Sequence, residues 1–231
     1  MYYTRLESHT YHHKERYISD PRYYFEVSDD YVKNKLKMVL FPFLHKGHWM
    51  RTTERVGSEF SYKPPLYDIN APDLYIPMMA FATYLLLAGF FLGINGKFGP
   101  EALGLQCTTA LLCWLLQVLL LEATLHSLGG GDVPVLDVVA YGGYTFIAAC
   151  VIVLARIFWD CIFLVITLWE SFCMGVLLVK TMKRILMTEV RIVETDSTKR
   201  NYLLLFIAIS QIPLLFWLGS ICTKTDGDFD L

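Results

Sequence analysis

The sequence predicts an all-α membrane protein that crosses the bilayer about five times and carries a polar N-terminal segment. Three observations predict this class. The 231 residues are 55% hydrophobic, more than an ordinary soluble domain carries. The apolar residues are gathered into runs of roughly 20, long enough to cross a hydrocarbon core of about 30 Å as helices. Eleven of the 20 Lys and Arg residues lie in the first 73 positions, an uneven distribution of charge typical of a membrane topology.

The first part of the chain, residues 1–27, is polar and aromatic and has no helical or strand period. Its three histidines, His9, His12 and His13, lack a fourth ligand and a scaffold that would hold a metal ion. We therefore expect a solvated tail here and no metal site. No secretory signal peptide opens the chain, so the first span is expected to act as the targeting signal.

An amphipathic helix is predicted near residues 29–41. Ser28 can cap the first free backbone N–H groups, and Asp29 and Asp30 suit the positive end of the helix dipole. Apolar residues then repeat at helical spacing with lysines beside them, and Pro42 ends the pattern. The apolar stripe fits either of two roles, which the sequence leaves open: it lies on an anionic leaflet, or it binds a groove in a partner protein.

The connector 63–73 is rich in proline. It forms the last part of the predicted cytosolic segment, residues 1–73, and leads into the membrane region. Pro64, Pro65 and Pro72 each lack a backbone donor and push the preceding residue out of helical geometry, so this stretch is expected to be extended. Pro77 falls in the first turn of the helix that follows, where the missing N–H costs little.

Five spans are predicted between residues 74 and 220, and a short acidic tail, 221–231, follows them. The glycine run 129–131 is expected to form a turn, and so few residues surround Arg156 that a tight hairpin is expected there, with one re-entrant element as the alternative. The predicted spans are 74–94, 105–125, 138–155, 157–179 and 202–220.

The distribution of basic residues predicts the orientation. The N-terminal segment and the loop 180–200 are rich in Lys and Arg, whereas the opposite side holds only Lys97, Arg156 and Lys224. Because positive charge stays on the cytoplasmic side of a membrane, we expect a cytosolic N-terminus and a lumenal C-terminus.

The stretch from Asp68 to Phe81, DINAPDLYIPMMAF, closely resembles the Yip-interacting factor family of early secretory membrane proteins. Similar likeness is found at Tyr24–Val27, at Leu40–His45 and at Val179–Arg184. The stretch AYGGY, residues 140–144, resembles the Tyr-Gly-Tyr signature of the wider Yip family, from which its doubled glycine departs. The resemblance covers nearly the whole chain, from about Tyr23 to Gly219.

The resemblance implies a non-enzymatic adaptor in vesicle transport between the endoplasmic reticulum and the Golgi. It also implies residence in both membranes and in transport vesicles, a Yip-type membrane partner, and engagement of Rab-type GTPases and vesicle coat components.

No motif for catalysis, cofactor binding or nucleic-acid binding is present. The sequence has no phosphate-binding glycine loop, no histidine–glutamate metal helix and no serine nucleophile elbow. The six cysteines form neither a disulfide framework nor a zinc motif, and we interpret them as small buried apolar residues. They are Cys107, Cys113, Cys150, Cys161, Cys173 and Cys222.

Three polar residues are predicted to share one layer inside the bilayer: Gln117, Glu170 and Gln211. A polar group at that depth must face protein or water. We favour a structural layer in which a neutral Glu170 hydrogen-bonds to the amides and joins helices. The alternative function is a small transporter or channel in which Glu170 is the ion or proton site.

Gly89 and Gly93 have the spacing that lets two membrane helices approach closely. The sequence does not decide between packing within the chain and packing against a partner.

The entrance to the first span is our predicted partner-binding element. Asp68 and Asp73 bracket a stiff connector at a place where positive charge is the usual choice, and an Asp-Leu-Tyr-x-Pro element recurs in the Yip-type partner family that the resemblance implies. The simpler interpretation is that Asp73 only caps the helix. The predicted partner-binding residues are Asp68, Asn70, Asp73, Leu74, Tyr75 and Pro77.

Overall fold

The computed structural model describes residues 21–45, 47, 49–56, 59–128, 133–159, 162–189 and 197–221. Three predictions fall outside these residues: the first 20 residues of the expected solvated tail, with their histidines, the glycine turn, and the acidic end of the chain. The rest of that tail is described, and the expectation of a solvated segment is wrong there, because Tyr24 is buried against the bundle.

The described chain is mainly helical. A short 3₁₀ turn, Pro21–Phe25, comes first, and Tyr144 alone separates α4 from α5, so these two helices form one span. In chain order the elements are α1 (Asp29–Leu40), β1 (Thr53–Val56), β2 (Glu59–Tyr62), α2 (Tyr75–Ile94), α3 (Pro100–Ser127), α4 (Val135–Gly143), α5 (Thr145–Phe158), α6 (Phe163–Glu189) and α7 (Ser197–Gly219).

Five segments of the described chain are long and apolar enough to cross a membrane, which confirms the predicted fold class. The helix ends differ from the predicted span limits. Helix α3 begins at Pro100 instead of residue 105, and α6 continues to Glu189 instead of ending at 179. The prediction followed hydropathy, which marks the apolar part of a helix, whereas a helix can continue into water beyond the bilayer.

A two-stranded antiparallel hairpin between α1 and α2 was not predicted. Strand β1 pairs with β2 so that Thr53 lies opposite Tyr62. A hairpin this small is only marginally stable by itself, and the backbone N–H of Thr52, just before β1, is held by the carboxylate of Asp68 at 2.7 Å.

Helix α1 forms as predicted, and one side of it is covered by the membrane bundle of the same chain. The hydroxyl of Ser28 accepts a hydrogen bond from the backbone N–H of Tyr31 at 3.2 Å, and the helix ends at Leu40, before Pro42. Its buried stripe, Tyr31, Lys35, Met38 and Val39, packs against α5 and α6 of the same chain. A role on a lipid surface or in a partner groove stays a prediction for the residues of α1 that the bundle leaves exposed.

The span α4–α5 lies at the centre of the bundle. In its most apolar stretch 78% of the residues are buried, whereas in that of α3 only 22% are, so α3 lies at the periphery. Helix α5 packs against α2, α6 and α7. Helices α6 and α7 lie close together at Gly175, where an added Cβ would lie 3.3 Å from the backbone of Ala208. A larger residue at Gly175 would therefore push these two helices apart.

The region around Arg156 is a junction between helix ends. The guanidinium of Arg156 donates a hydrogen bond to the carbonyl of Gly219 at 2.7 Å and lies over the rings of Phe91 and Phe163. The last turns of α2, α5 and α7 thus meet the first turn of α6 on one side of the bundle. Helices α5 and α6 are separate, so the expectation of a short connection describes this region better than a single re-entrant element.

Candidate functional site

The N-terminal segment and the membrane bundle meet in a group of buried polar side chains, which we call the boundary cluster. Its members come from α1, the connector 63–73, α4 with Tyr144, and α6. Each of them is buried in the structure. The boundary cluster consists of Tyr31, Lys35, Asn70, Asp73, Tyr141, Tyr144 and Arg184.

The carboxylate of Asp73 is the centre of the boundary cluster. Its Oδ1 accepts a hydrogen bond from the backbone N–H of Ile76 at 2.8 Å, which caps the first turn of α2. Its Oδ2 accepts hydrogen bonds from the hydroxyls of Tyr31 at 2.9 Å and Tyr144 at 2.7 Å. Asp73 is therefore a helix cap, as the simpler interpretation has it, and it also joins α1 to the central span.

Lys35 donates hydrogen bonds from its ammonium to two backbone carbonyls of the connector. The distances from Nζ are 2.6 Å to Ile69 and 2.8 Å to Ala71. Burial lowers the pKa of Lys35 to about 7, against the attraction of the Asp73 carboxylate. A lysine with this pKa changes its charge near neutral pH, inside the contact between α1 and the membrane bundle.

Arg184 of α6 holds three parts of the chain together. Its Nη1 donates to the carbonyls of Trp49 and Asn70, both at 3.0 Å, and its Nη2 donates to the hydroxyl of Tyr141 at 2.7 Å. The planar guanidinium suits this arrangement because its donors point in fixed directions, which a lysine ammonium cannot reproduce.

A second buried contact lies where α4 begins. The hydroxyl of Tyr24 donates to Oδ1 of Asp137 at 2.7 Å, and the guanidinium of Arg51 lies 3.4 Å from Oδ2. Burial, together with the charge of Asp137, raises the pKa of Tyr24. Tyr24 therefore stays protonated and remains a donor, and the 3₁₀ turn is attached to the same bundle as α1.

Most of the predicted partner-binding residues are inside the protein. The carboxylate of Asp68 accepts from the backbone N–H groups of Thr52 and Asn70, at 2.7 and 2.9 Å. Asp68, Asn70 and Asp73 are all buried. Their carboxylates and amide therefore build the connector rather than face an external ligand.

The other three residues of that element differ in exposure. Tyr75 is 37% exposed and Leu74 is half-buried, whereas Pro77 is buried. An added Cβ on Gly143 would lie 2.6 Å from Cβ of Pro77, so the start of α2 packs closely on the central span. A role in partner binding stays a prediction for all six residues, and Tyr75 is the most accessible of them.

Sequence reasoning missed most of the boundary cluster. One signal was present: Lys35 lies in line with Tyr31 and Met38 at helical spacing, so a lysine interrupts the apolar stripe of α1. The resemblance includes Tyr141 and Arg184, in the stretches 140–144 and 179–184, but it does not give their contacts, because their partners are distant in sequence. The doubled glycine was noticed only for its likeness to a signature, and its structural role is the close packing of Gly143 against Pro77 and Trp114.

The polar layer inside the bilayer forms only in part. Nε2 of Gln211 donates to Oε1 of Gln117 at 3.2 Å, which joins α7 to α3 as predicted. Within the parts of the chain that the structure describes, Oε2 of Glu170 has no hydrogen-bond partner although the residue is buried. Among the described residues no hydrogen bond joins Glu170 to either amide, so this part of the predicted layer does not form.

The two glycines of α2 do not bring helix backbones together. An added Cβ on Gly89 would meet only the side chains of Leu103 and Phe98, at ordinary contact distances. At Gly93 an added Cβ would meet none of the described atoms within 4 Å. Among the described residues no second helix backbone lies close to this spacing, and packing against a partner stays a prediction.

The boundary cluster encloses a cavity of about 10 Å³, space for a single water molecule. Lys35, Tyr144 and Arg184 are among the residues that line it. Across the described ranges, no group of three or more His, Cys, Asp and Glu side chains is placed to hold a metal ion. What this arrangement can do is hold α1 and the connector in one fixed position on the bundle.

The fold and the boundary cluster define a class of protein: a polytopic helical membrane protein whose N-terminal segment is docked on its own membrane bundle. Comparison with known proteins gives the family. The YIF1 family model matches residues 7–219. The chain belongs to this family, which confirms the resemblance to the Yip-interacting factors.

Relatives from distant organisms match over most of the chain. Protein YIF1B of Danio rerio is 34% identical over 213 residues, which cover 87% of this chain and 67% of the relative. Protein YIF1B of Homo sapiens is 33% identical over 208 residues, with coverages of 87% and 65%. Protein transport protein yif1 of Schizosaccharomyces pombe is 31% identical over 210 residues, with coverages of 85% and 71%. The chain thus spans about two thirds of the length of these relatives. No solved structure matches the chain.

Proposed function

We propose that this protein is a non-enzymatic membrane adaptor in vesicle transport between the endoplasmic reticulum and the Golgi. It resides in these two membranes and in transport vesicles, pairs with a Yip-type membrane protein, and engages Rab-type GTPases, with vesicle coat components as further partners. Family membership supports the transport role, because relatives in two yeasts are named protein transport protein.

The docked N-terminal segment is the observation that carries the proposal. An adaptor must present a surface of fixed shape beside the membrane, and flexible attachment would add an entropic cost to each binding event. Here Asp73, Lys35 and Arg184 fix α1 and the connector on the bundle by buried hydrogen bonds. Helix α1 and the connector therefore form one surface together with the spans.

Within that surface we assign the contact with the Yip-type partner to Tyr75. Its exposed aromatic ring lies at the start of α2, next to the buried carboxylate of Asp73. Exposed tyrosines bind well because they bring a large apolar area at a small cost in side-chain entropy. Asp68, Asn70 and Asp73 act indirectly by shaping the turn that presents Leu74 and Tyr75, while Pro77 fixes the start of the helix.

The proposed orientation places the boundary cluster on the cytosolic side. The start of α2 and the end of α6 share this side, through Asp73 and Arg184, and the Arg156 junction lies at the other ends of these helices. The positive-inside rule then places the N-terminal segment in the cytosol. A glycosylation acceptor inserted after Ser220 should be modified and one inserted before Tyr23 should not; the reverse pattern would overturn the orientation.

The proposed function is tested with Tyr75→Ala in cells that lack the protein. The measurements are transport of a reporter cargo from the endoplasmic reticulum to the Golgi and co-purification of the Yip-type partner and of Rab-type GTPases. The matched control is Tyr67→Ala, since Tyr67 is a neighbouring tyrosine with 71% exposure outside the element Asp68–Pro77.

We expect Tyr75→Ala to lose the Yip-type partner and slow transport, while Tyr67→Ala behaves like the unsubstituted chain. Equal recovery of the Yip-type partner with both variants would remove Tyr75 from the interface. Normal cargo transport in cells without the protein would overturn the transport role itself.

The buried Glu170 is the observation that favours the second candidate function, a small transporter or channel. A carboxyl that is buried in a span without a hydrogen-bond partner is typical of an ion or proton site. Ion flux into liposomes that contain the purified protein tests it. Flux that Glu170→Gln abolishes would favour transport of ions; flux equal to that of empty liposomes would exclude it.

A further inference from the structure

The turn that follows α1 contains three exposed apolar side chains, and one of them, Phe43, lies against the outside of a membrane-spanning helix. We call residues 41–44, with the sequence Phe-Pro-Phe-Leu, the α1 tip. The ring of Phe43 stacks on Phe172 with centroids 5.5 Å apart and lies 6.4 Å from the ring of Trp169. Both partners belong to α6, inside the stretch Phe163–Leu186 that is long and apolar enough to cross the bilayer.

The depth of this contact follows from the order of contacts along α6. Arg184 binds the carbonyl of Trp49, Lys180 binds the carbonyl of Pro42, and Phe172 and Trp169 contact Phe43. The N-terminal segment therefore runs along α6 from its charged end toward its apolar middle.

Phe172 lies about 12 Å along the helix axis from Lys180, at about 1.5 Å per residue. Aromatic side chains on a helix also lean toward its N-terminus, which for α6 is away from Lys180. The hydrocarbon core is about 30 Å thick. If Lys180 lies at the edge of the hydrocarbon core, Phe172 lies well inside the core, and so does the ring of Phe43 that stacks on it.

The backbone of the α1 tip is suited to that depth. Non-helical backbone is tolerated inside a membrane only when its polar groups are satisfied. The N–H of Phe41 donates to the carbonyl of Lys37, the N–H of Leu44 donates to the carbonyl of Phe41, and Pro42 has no N–H. The carbonyl of Pro42 accepts from the ammonium of Lys180 at 3.4 Å. Several backbone groups of the turn thus have partners within the chain, and its exposed side chains, Phe41, Phe43 and Leu44, are apolar.

The exposed residues change from basic to apolar between the end of α1 and the turn that follows it. The exposed positions of the helix itself include Lys33 and Lys37, and they are followed by Phe41, Phe43 and Leu44 with 43%, 49% and 73% exposure. This order, basic and then apolar, matches the order of a leaflet from its phosphates to its acyl chains. The neighbouring exposed side chains of α6, Val165 and Leu168, are apolar as well.

We propose that the α1 tip inserts into the leaflet on the side of the N-terminal segment and binds phospholipid acyl chains beside α6. The occupant is lipid because the surface that carries the α1 tip is the outer face of a spanning helix. The inserted residues take up volume in one leaflet only, which makes α1 a wedge as well as a docked helix. This proposal does not depend on the transport role.

The test uses the full chain in phosphatidylcholine liposomes. The photoreactive residue p-benzoylphenylalanine replaces Leu44, in a second variant Phe41, and in the matched control Lys33, which is exposed on the same side of α1 nearer the water. After illumination, mass spectrometry of the chain measures covalent adducts with phospholipid acyl chains. Protection of the bundle from protease, compared with that of the unsubstituted chain, identifies the variants that fold.

We expect acyl-chain adducts at Leu44 and Phe41 with yields at least about tenfold above Lys33, because the probe reaches acyl C–H bonds only inside the hydrocarbon core. Yields at both positions no higher than at Lys33, in variants that keep the protection of the bundle, would overturn the proposal. Adducts with a second copy of the chain in place of lipid would overturn it as well. Because Leu44 and Phe41 both lie on the exposed surface, loss of folding in one variant leaves the other to decide.

Discussion

The two polar regions of this protein, the boundary cluster and the layer inside the bilayer, differ in how well their groups are satisfied. In the boundary cluster one carboxylate accepts three hydrogen bonds and one guanidinium donates three. In the bilayer layer, two glutamines share a single hydrogen bond of 3.2 Å, and Oε2 of Glu170 has no partner among the described atoms.

This difference shows which region specifies the arrangement of the chain. Buried charged groups that make several hydrogen bonds define one geometry, and removing one partner leaves a costly unpaired group. A single amide pair between membrane helices contributes little, because the same amides find other partners when the helices separate. Substitutions should therefore be costly at the boundary and mild in the bilayer, and the four predictions that follow test this ordering.

The largest effect is expected for Asp73→Ala. This change removes the cap on α2 and the acceptor of Tyr31 and Tyr144, and it leaves Lys35 buried without its nearby carboxylate. We expect a loss of about 3 kcal/mol or more in the free energy of unfolding in detergent micelles. Asp73→Asn keeps one oxygen as acceptor and should cost less than Asp73→Ala but more than the exposed control Asp30→Asn. A silent Asp73→Asn would reduce Asp73 to a cap.

A smaller loss is expected for Arg184→Lys, which keeps the charge. A lysine ammonium cannot reach Trp49, Asn70 and Tyr141 in the same geometry, so at least one buried acceptor loses its partner, at a cost of about 1 to 3 kcal/mol. Hydrogen exchange of the α1 amides should become faster, because docking of α1 is weakened. Lys183→Arg, at the exposed neighbouring position, is the control, and equal exchange in both variants would contradict the role of Arg184.

The next effect is a pH dependence that comes from Lys35. Its pKa is about 7 in the folded protein and about 10.4 in an unfolded chain, so between these values the unfolded state binds more protons. Stability should therefore rise as pH increases from about 7 toward about 10, by at most roughly 1.4 kcal/mol per unit, and this contribution should level off below pH 7.

Lys35→Met separates this contribution from the other titrating groups. The difference in the free energy of unfolding between the unsubstituted chain and Lys35→Met, measured from pH 6 to pH 9, should change with pH in the stated direction. A difference that stays constant across this range would show that Lys35 keeps its proton in the folded protein.

The smallest effect is expected in the bilayer layer. Gln117→Leu and Gln211→Leu should each cost about 1 kcal/mol or less, and the double variant should cost about as much as either one. A double-mutant cycle on the free energy of unfolding measures the coupling between the two amides. A coupling larger than the loss from Asp73→Ala would reverse the order of the two regions.

Some of this protein could be predicted from local sequence because the physical cause is local. Hydropathy over about 20 residues marks a membrane span, and the five spans are found where the apolar runs are. Capping involves neighbours a few residues apart, and Ser28 caps α1 as predicted. The resemblance to the Yip-interacting factors also depends on sequence alone, and the match over residues 7–219 confirms it.

The tertiary structure alone decided where the polar groups of the candidate site go. Lys35 reaches the connector more than 30 positions away, and Arg184 reaches Asn70 across 114 positions, so no local pattern carries this information. The same holds for Glu170 and Gly93. The sequence gives their positions within the spans, but it does not give the atoms that surround them. Periodicity tells which side of a helix is apolar, but which surface covers that side depends on how all the helices pack. For α1 that surface is its own membrane bundle, and packing of this kind depends on the whole chain at once.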